Sequence, residues 1–296
     1  MANPIPSRLL PDNTSIDENG SGSIAGCNLV ELAEEYGTPL FVYDENHLRA
    51  RCREAVKAFG EGVAYAGKAF LCGAMSRLVV EEGMNIDVAT GGELYMALHA
   101  GIDGSRLIMH GNNKSESELR MALEAGVSRI VVDSFDELER LQILHKETGI
   151  SPKILLRITP GVEAHTHEFI STGQDDSKFG FTVSTGLALE AVERAVKTEA
   201  VELVGIHAHI GSQVFKVDSF IRAVEVMAEF SNPLELPELS IGGGLGVSYL
   251  EEDHAPSITE WGEAVQTACA QTGIKAKVTA EPGRAIAAAA AITLYR

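Results

Sequence analysis

A repeating rhythm constrains this chain more than any other feature. Short apolar, β-branched runs occupy residues 63–66, 86–89, 107–110, 130–133, 154–158, 203–207, 238–241 and 278–280. Segments with helical periodicity lie between them, as at 116–125 and 134–148. The first four runs start 23, 21 and 23 residues apart, the length of one strand–helix unit. Eight such units in unbroken succession favour a closed (β/α)8 barrel over an open doubly wound sheet. In such a barrel the chemistry sits at the C-terminal ends of the strands.

The flanks read differently. Residues 1–25 are polar and are expected to be loop, with a glycine- and serine-rich stretch at 19–23. A short helix over 29–36 stops at Gly37, and 40–43 reads as a strand. Asp44 then caps a helix marked by Leu48, Cys52, Val56 and Phe59. The 24 basic against 42 acidic residues give a net charge of −18, which opposes nucleic-acid binding and suits a cytoplasmic protein. No apolar run approaches the roughly 20 residues of a membrane span, and the first residues lack the pattern of a secretory signal. Cys27, Cys52, Cys72 and Cys269 form no C-x-x-C pair and read as reduced thiols.

The residues just past the strands carry chemistry. Lys68 follows the first run in Ala64-Tyr65-Ala66-Gly67-Lys68-Ala69-Phe70. Its small, apolar neighbours permit desolvation and Schiff-base chemistry, and equally a solvated strand-end lysine. After the sixth run, His207 and His209 are two apart and are expected to face the barrel interior together. That permits a metal pair, or one histidine stacked on a flat ligand with Ser212 near an anion. Gly242, Gly243, Gly244 and Gly246 follow the seventh run, where barrel phosphate sites are found. Glu281-Pro282-Gly283-Arg284 follow the eighth, offering a carboxylate and an anion-binding guanidinium. Asp87, Glu93 and Arg157 fall at the ends of the second and fifth runs. Lysine, stacking histidine, glycine loop and carboxylate together match the needs of pyridoxal phosphate.

Four segments in this order, Ala64-Tyr65-Ala66-Gly67-Lys68-Ala69, His209-Ile210-Gly211-Ser212, Gly242-Gly243-Gly244 and Glu281-Pro282-Gly283-Arg284, resemble the fold-type III pyridoxal-phosphate decarboxylases. The stretches 161–173 and 177–180 resemble the diaminopimelate decarboxylase branch of that family more than its ornithine and arginine branches. The resemblance runs from about Pro39 to Arg296. It implies a TIM-like barrel of the alanine racemase type over 45–285, flanked by 1–44 and 286–296 as parts of an all-β second domain. It also implies decarboxylation of meso-diaminopimelate to L-lysine in a cytoplasmic homodimer with shared active sites.

Roles follow from the same resemblance. Lys68 would bond to the cofactor, His209 would stack on its ring and Glu281 would pair with its ring nitrogen. Ser212, Gly242, Gly243, Gly244, Gly283 and Arg284 would surround its phosphate, Arg284 also reaching a substrate carboxylate. Asp87 and Arg157 would stand behind the cofactor, with His165 and His167 near the mouth and no metal involved.

The chain departs from the pattern in one respect. The family's second domain carries a Cys-Glu-Ser-Gly-Asp motif that reaches the partner subunit's site, and no such motif occurs here. The expectation is an incomplete record, with catalysis not performed by these 296 residues alone. A natural short cofactor-binding chain, or a domain supplied by another polypeptide, are the alternatives. Strands at 40–43 and 291–295 are then expected to have unpaired edges.

Overall fold

The computed structural model of the protein describes residues 5–162 and 179–296. At the start, β1 (Thr14–Ile16), β2 (Gly22–Ile24) and β3 (Cys27–Asn28) form an antiparallel meander where the polar composition suggested only loop. The strands are two or three residues long, too short for an alternating pattern to register. Asn28 caps α1 (Leu29–Tyr36) by accepting from the Val30 and Glu31 amides. β4 (Leu40–Tyr43) and α2 (Glu45–Phe59) follow.

The barrel then runs through β5 (Ala64–Ala66), α3 (Gly73–Glu81), β6 (Asn85–Val88), α4 (Gly91–His99), β7 (Leu107–Met109), α5 (Glu116–Ala125), β8 (Arg129–Val132), α6 (Phe135–Thr148) and β9 (Lys153–Thr159). It continues through β10 (Phe181–Thr182), α7 (Leu187–Val196), β11 (Glu202–His207), α8 (Val217–Ser231), β12 (Glu238–Ser240), α9 (Ile258–Thr272) and β13 (Lys277–Thr279). α10 (Arg284–Ala287) and β14 (Ala291–Leu294) complete the described elements.

Strands β5, β6, β7, β8, β9, β11, β12 and β13 pair in that order, all parallel. The ring closes where the Ala64 amide donates to the Ala280 carbonyl at 3.0 Å and the Ala66 amide to Pro282 at 3.2 Å. The (β/α)8 reading therefore holds. β10, which the sequence did not announce, pairs with the end of β9.

Alternation along these strands separates two interiors. Ile86, Val88, Leu107, Met109, Ile130, Val132, Ile154 and Leu156 are buried in the large cluster formed with the helices. Ala64, Ile108, Val131, Leu155 and Val204 form a separate apolar cluster, the plug of the barrel. Two residues further on, the same inward face presents Ala66, His110, Asp133 and Arg157. The apolar plug thus forms the floor on which polar side chains stand. β11 needs a correction to join this layer, because Val204 and His207 are an odd number of residues apart. A bulge between Leu203 and Gly205 supplies it and puts His207 in register with Arg157. Gly205 is required there, since a Cβ would lie 2.3 Å from the Glu238 carbonyl oxygen.

β4 and β14, expected to be orphaned, pair with each other antiparallel, Leu40 opposite Leu294 and Tyr43 opposite Ala291. The Asp44 amide also donates to the Ala290 carbonyl at 2.8 Å. The buried Asp44 carboxylate caps α2 by accepting from the His47 amide, and it holds the Asn13 amide and side chain at 3.1 and 2.8 Å. Burial raises its pKa, but these hydrogen bonds outweigh burial and hold it below the ordinary range. Because the folded value is depressed, the stabilisation is complete above the unfolded value of about 3.9 and is lost as pH falls through the folded one. Asp44→Ala is therefore expected to cost about 1–2 kcal/mol at neutral pH. In urea titrations that gap should shrink toward about pH 3.

Candidate active site

A cavity of about 890 Å³ opens at the C-terminal ends of the strands. It is lined by Lys68, His207, His209, Ser212, Glu281, Gly283 and Arg284, and by Asp87, Arg157, Gly243 and Gly244. Lys68 lies on a 3-10 turn, Gly67–Ala69, directly after β5. Its side chain is exposed to the cavity, so the desolvation that its apolar sequence neighbours suggested is not realised. Those neighbours, Ala64, Tyr65 and Ala66, are spent on the strand and its packing instead.

Glu281 is buried at the floor, and its carboxylate is held on both oxygens. Ser240 Oγ donates to Oε1 at 2.6 Å and the His207 imidazole meets Oε2 at 2.9 Å. Burial alone would raise this carboxyl, but His207, His110 and the two hydrogen bonds bring it well below the usual range. His110 stands edge-on to His207, with ring centroids 5.2 Å apart. Its Nε2 lies 3.4 Å from Asp87 Oδ1 and 3.7 Å from Glu281 Oε1. Burial pushes the His110 pKa down to about 3. Asp87 moves the opposite way, raised by burial and then by the Glu281 charge, with Lys68 opposing.

His209 is tied to the glycine loop. Its Nδ1 accepts from the Gly243 amide at 3.3 Å, so the proton of the neutral ring is on Nε2. Burial first, then Lys68 and Arg157, keep that ring neutral by lowering its pKa. Among the described residues, side-chain atoms able to ligate a metal converge at His110, His207 and Glu281, within 4.8 Å of one another.

The glycine loop has a packing role beside any phosphate-binding one. A Cβ on Gly242, Gly243 or Gly244 would lie 2.3, 2.2 and 2.2 Å from the carbonyl oxygens of Ala208, Glu281 and Gly211. Their bareness lets the loops after β11, β12 and β13 pack backbone against backbone. Over this loop, Arg284 donates to Tyr249 Oη at 2.8 Å and to Ser212 Oγ at 3.3 Å. Arg157 is held 3.4 Å from Asp133 and lies over the Phe179 ring at 4.3 Å. Glu93, on α4, turns away to accept from the Ala89 amide at 2.6 Å.

Sequence reading missed His110, Ser240 and Tyr249. The strand-end rule that found Lys68 applies to His110 as well, whereas Ser240 lies within an apolar run and Tyr249 in a loop without spacing. His165, His167 and most of the stretch compared with the diaminopimelate branch lie outside the described residues.

Comparison with known proteins identifies the family. Residues 45–288 match the family "Pyridoxal-dependent decarboxylase, pyridoxal binding domain". A diaminopimelate decarboxylase of Mycobacterium bovis is 50% identical over 302 residues, covering 96% of this chain and 68% of the relative. One from Mycobacterium leprae is 48% identical, covering 98% and 65%. The chain thus spans about two thirds of the length of these relatives. The crystal structure of diaminopimelate decarboxylase from M. jannaschii in co-complex with L-lysine superposes with a TM-score of 0.87 at 32% identity, over 95% of this chain and 69% of that one.

Proposed function

The chain belongs to the pyridoxal-dependent decarboxylases, among the diaminopimelate decarboxylases, and from that membership we propose that its barrel mouth decarboxylates meso-2,6-diaminopimelate to L-lysine and carbon dioxide. The observation that carries the reading is the meeting of Lys68, His209, Glu281 and the Gly243–Gly244 backbone on one cavity.

The cavity suits pyridoxal phosphate. Buried polar atoms at its edge lack partners, namely Asp87 Oδ1, His110 Nε2 and Arg284 Nε, as expected of a wall that a polar ligand completes. When bound, the cofactor supplies an electron sink for the pair released as the carbon–carboxylate bond breaks. Lys68 would supply the amine that holds the cofactor and would afterwards move a proton to the substrate carbon. His209, neutral, would stack on the ring, and the Glu281 carboxylate would pair with the ring nitrogen. Ser212, Gly242, Gly243, Gly244, Gly283 and Arg284 would hold the phosphate, with Arg284 also serving a substrate carboxylate. Asp87 and Arg157 would be neighbours of the cofactor. One proton replaces one carboxyl group, so diaminopimelate gives lysine and carbon dioxide without an oxidant or reductant.

A metal-centred hydrolase built on the histidines would leave Lys68 without a task. The family resemblance further supports a homodimer with shared sites. The −18 charge supports a cytoplasmic location, and among the described residues no helix is long and apolar enough to cross a membrane.

Two readouts test the reading. Borohydride treatment of the protein with pyridoxal phosphate should label Lys68 selectively, as seen by peptide mapping. Incubation with meso-diaminopimelate then tests for L-lysine, which these 296 residues are not expected to form alone. Labelling scattered over surface lysines would overturn the site. Selective labelling without lysine would instead place the shortfall in the substrate contacts.

A further inference from the structure

Two buried carboxylates, Asp87 and Glu281, face the same small space beneath the cavity, and they cannot comfortably carry charge together. Their surroundings are unequal. Glu281 accepts from Ser240 Oγ at 2.6 Å and from His207 at 2.9 Å, whereas Asp87 Oδ1 has no hydrogen-bond partner. His207 Nδ1 also has none. The neutral ring with its proton on Nε2 is therefore the satisfied tautomer, because it donates to Glu281 and leaves only an acceptor bare. The ring cannot easily turn away, being 2% exposed and packed edge-on against His110. The Gly205 bulge in β11 is what aims it inward.

We propose that His207 is a positioning residue for the decarboxylase site: its Nε2–H, with the Ser240 hydroxyl, fixes the Glu281 carboxylate toward the cofactor ring. This rests on the reading that Glu281 meets the ring nitrogen. Around Glu281 the other charged or titratable groups are Asp87 and Glu93, His110, Arg157 with Asp133, His209 and Lys68. Without the His207 donor, burial acts on Glu281 with less opposition, and the carboxyl keeps its proton to higher pH.

The test is equilibrium binding of pyridoxal phosphate to the cofactor-free full chain, followed by the absorbance of the bound chromophore across neutral to mildly alkaline pH. A hydrogen bond to a charged group corresponds to roughly tenfold or more in affinity. His207→Leu and His207→Asn should weaken binding by that factor, most at the acidic end, with the chromophore spectrum shifted. His207→Gln reaches the Nε2 position and should bind within about threefold of the parent. Ser240→Ala removes the second donor and should move affinity in the same direction, which keeps the idea testable if His207→Leu does not fold. Equal losses in the Gln and Asn variants would mean packing alone and would overturn the proposal. So would unchanged binding and spectra in His207→Leu and Ser240→Ala. If the parent chain labels at Lys68 while these variants behave like it, only this inference fails. If the parent does not label at Lys68, the underlying reading fails with it.

Discussion

Lys68→Ala is expected to abolish the borohydride-trapped label altogether, and to lower lysine formation from meso-diaminopimelate by at least about a thousandfold. The prediction combines two losses at one atom. The amine that bonds to the cofactor is gone, and with it the group that returns a proton to the substrate carbon. Lys68 is exposed to the cavity on a short turn after β5, so removing its side chain leaves no hole in the core and no buried partner stranded. The far-ultraviolet spectrum and the denaturation midpoint should therefore stay close to those of the parent. Retained labelling at another single lysine would show that the amine has been misassigned. Unaltered turnover would remove the covalent role entirely.

The largest loss of stability is expected from Lys114→Met. Lys114 lies under the loop that carries His110 and Asn112, with its side chain fully out of solvent. Its ammonium donates to the Gly111 and Val131 carbonyls at 2.6 and 2.7 Å and pairs with Glu137 Oε1 at 2.7 Å. Glu137 in turn accepts from the Asp133 amide at 3.1 Å, and Asp133 is the residue that holds Arg157. Burial pushes the Glu137 carboxyl up, and Lys114 is the main group opposing it. Removing one member of a buried pair strands the other, at a cost of about 3–5 kcal/mol. Replacing both, as Lys114→Met with Glu137→Leu, should recover most of that loss, since two apolar side chains need no partner. Denaturant midpoints of the single and double variants decide the matter; a Lys114→Met chain within about 1 kcal/mol of the parent would show that the pair does not couple to the fold. The two wall segments tied to this pair, 110–112 and 133, should loosen together. Cofactor affinity is then expected to fall in the single variant even at temperatures where it remains folded.

The barrel was legible because its signal is local and repeated. A strand buried on both sides reads as a short apolar run, and the helix behind it as a 3.6-residue pattern, whatever the rest of the chain does. Reading one to four residues past each run was enough to find Lys68, His209, Arg284 and the glycine loop, because a barrel delivers its strand ends to one place. The same logic failed where the pattern was short or broken, as in the β1–β3 meander. It also could not foresee that β4 and β14, 248 positions apart at Tyr43 and Ala291, would pair with each other.

Sequence by itself thus determined the closed ring of strands, the end of the barrel that carries the chemistry, and the kinds of groups gathered there. Tertiary structure alone decided how those groups are matched. Ser240 and His110 came into contact with Glu281 from separate strands, and a one-residue bulge at Gly205 turned His207 toward the carboxylate instead of toward the helices. Packing among the loops required the bare backbone of Gly242, Gly243 and Gly244. The reason is the range of the forces involved. Periodicity is written into neighbours along the chain, whereas the proton distribution between two buried carboxylates depends on donors a few ångströms away that are remote in sequence.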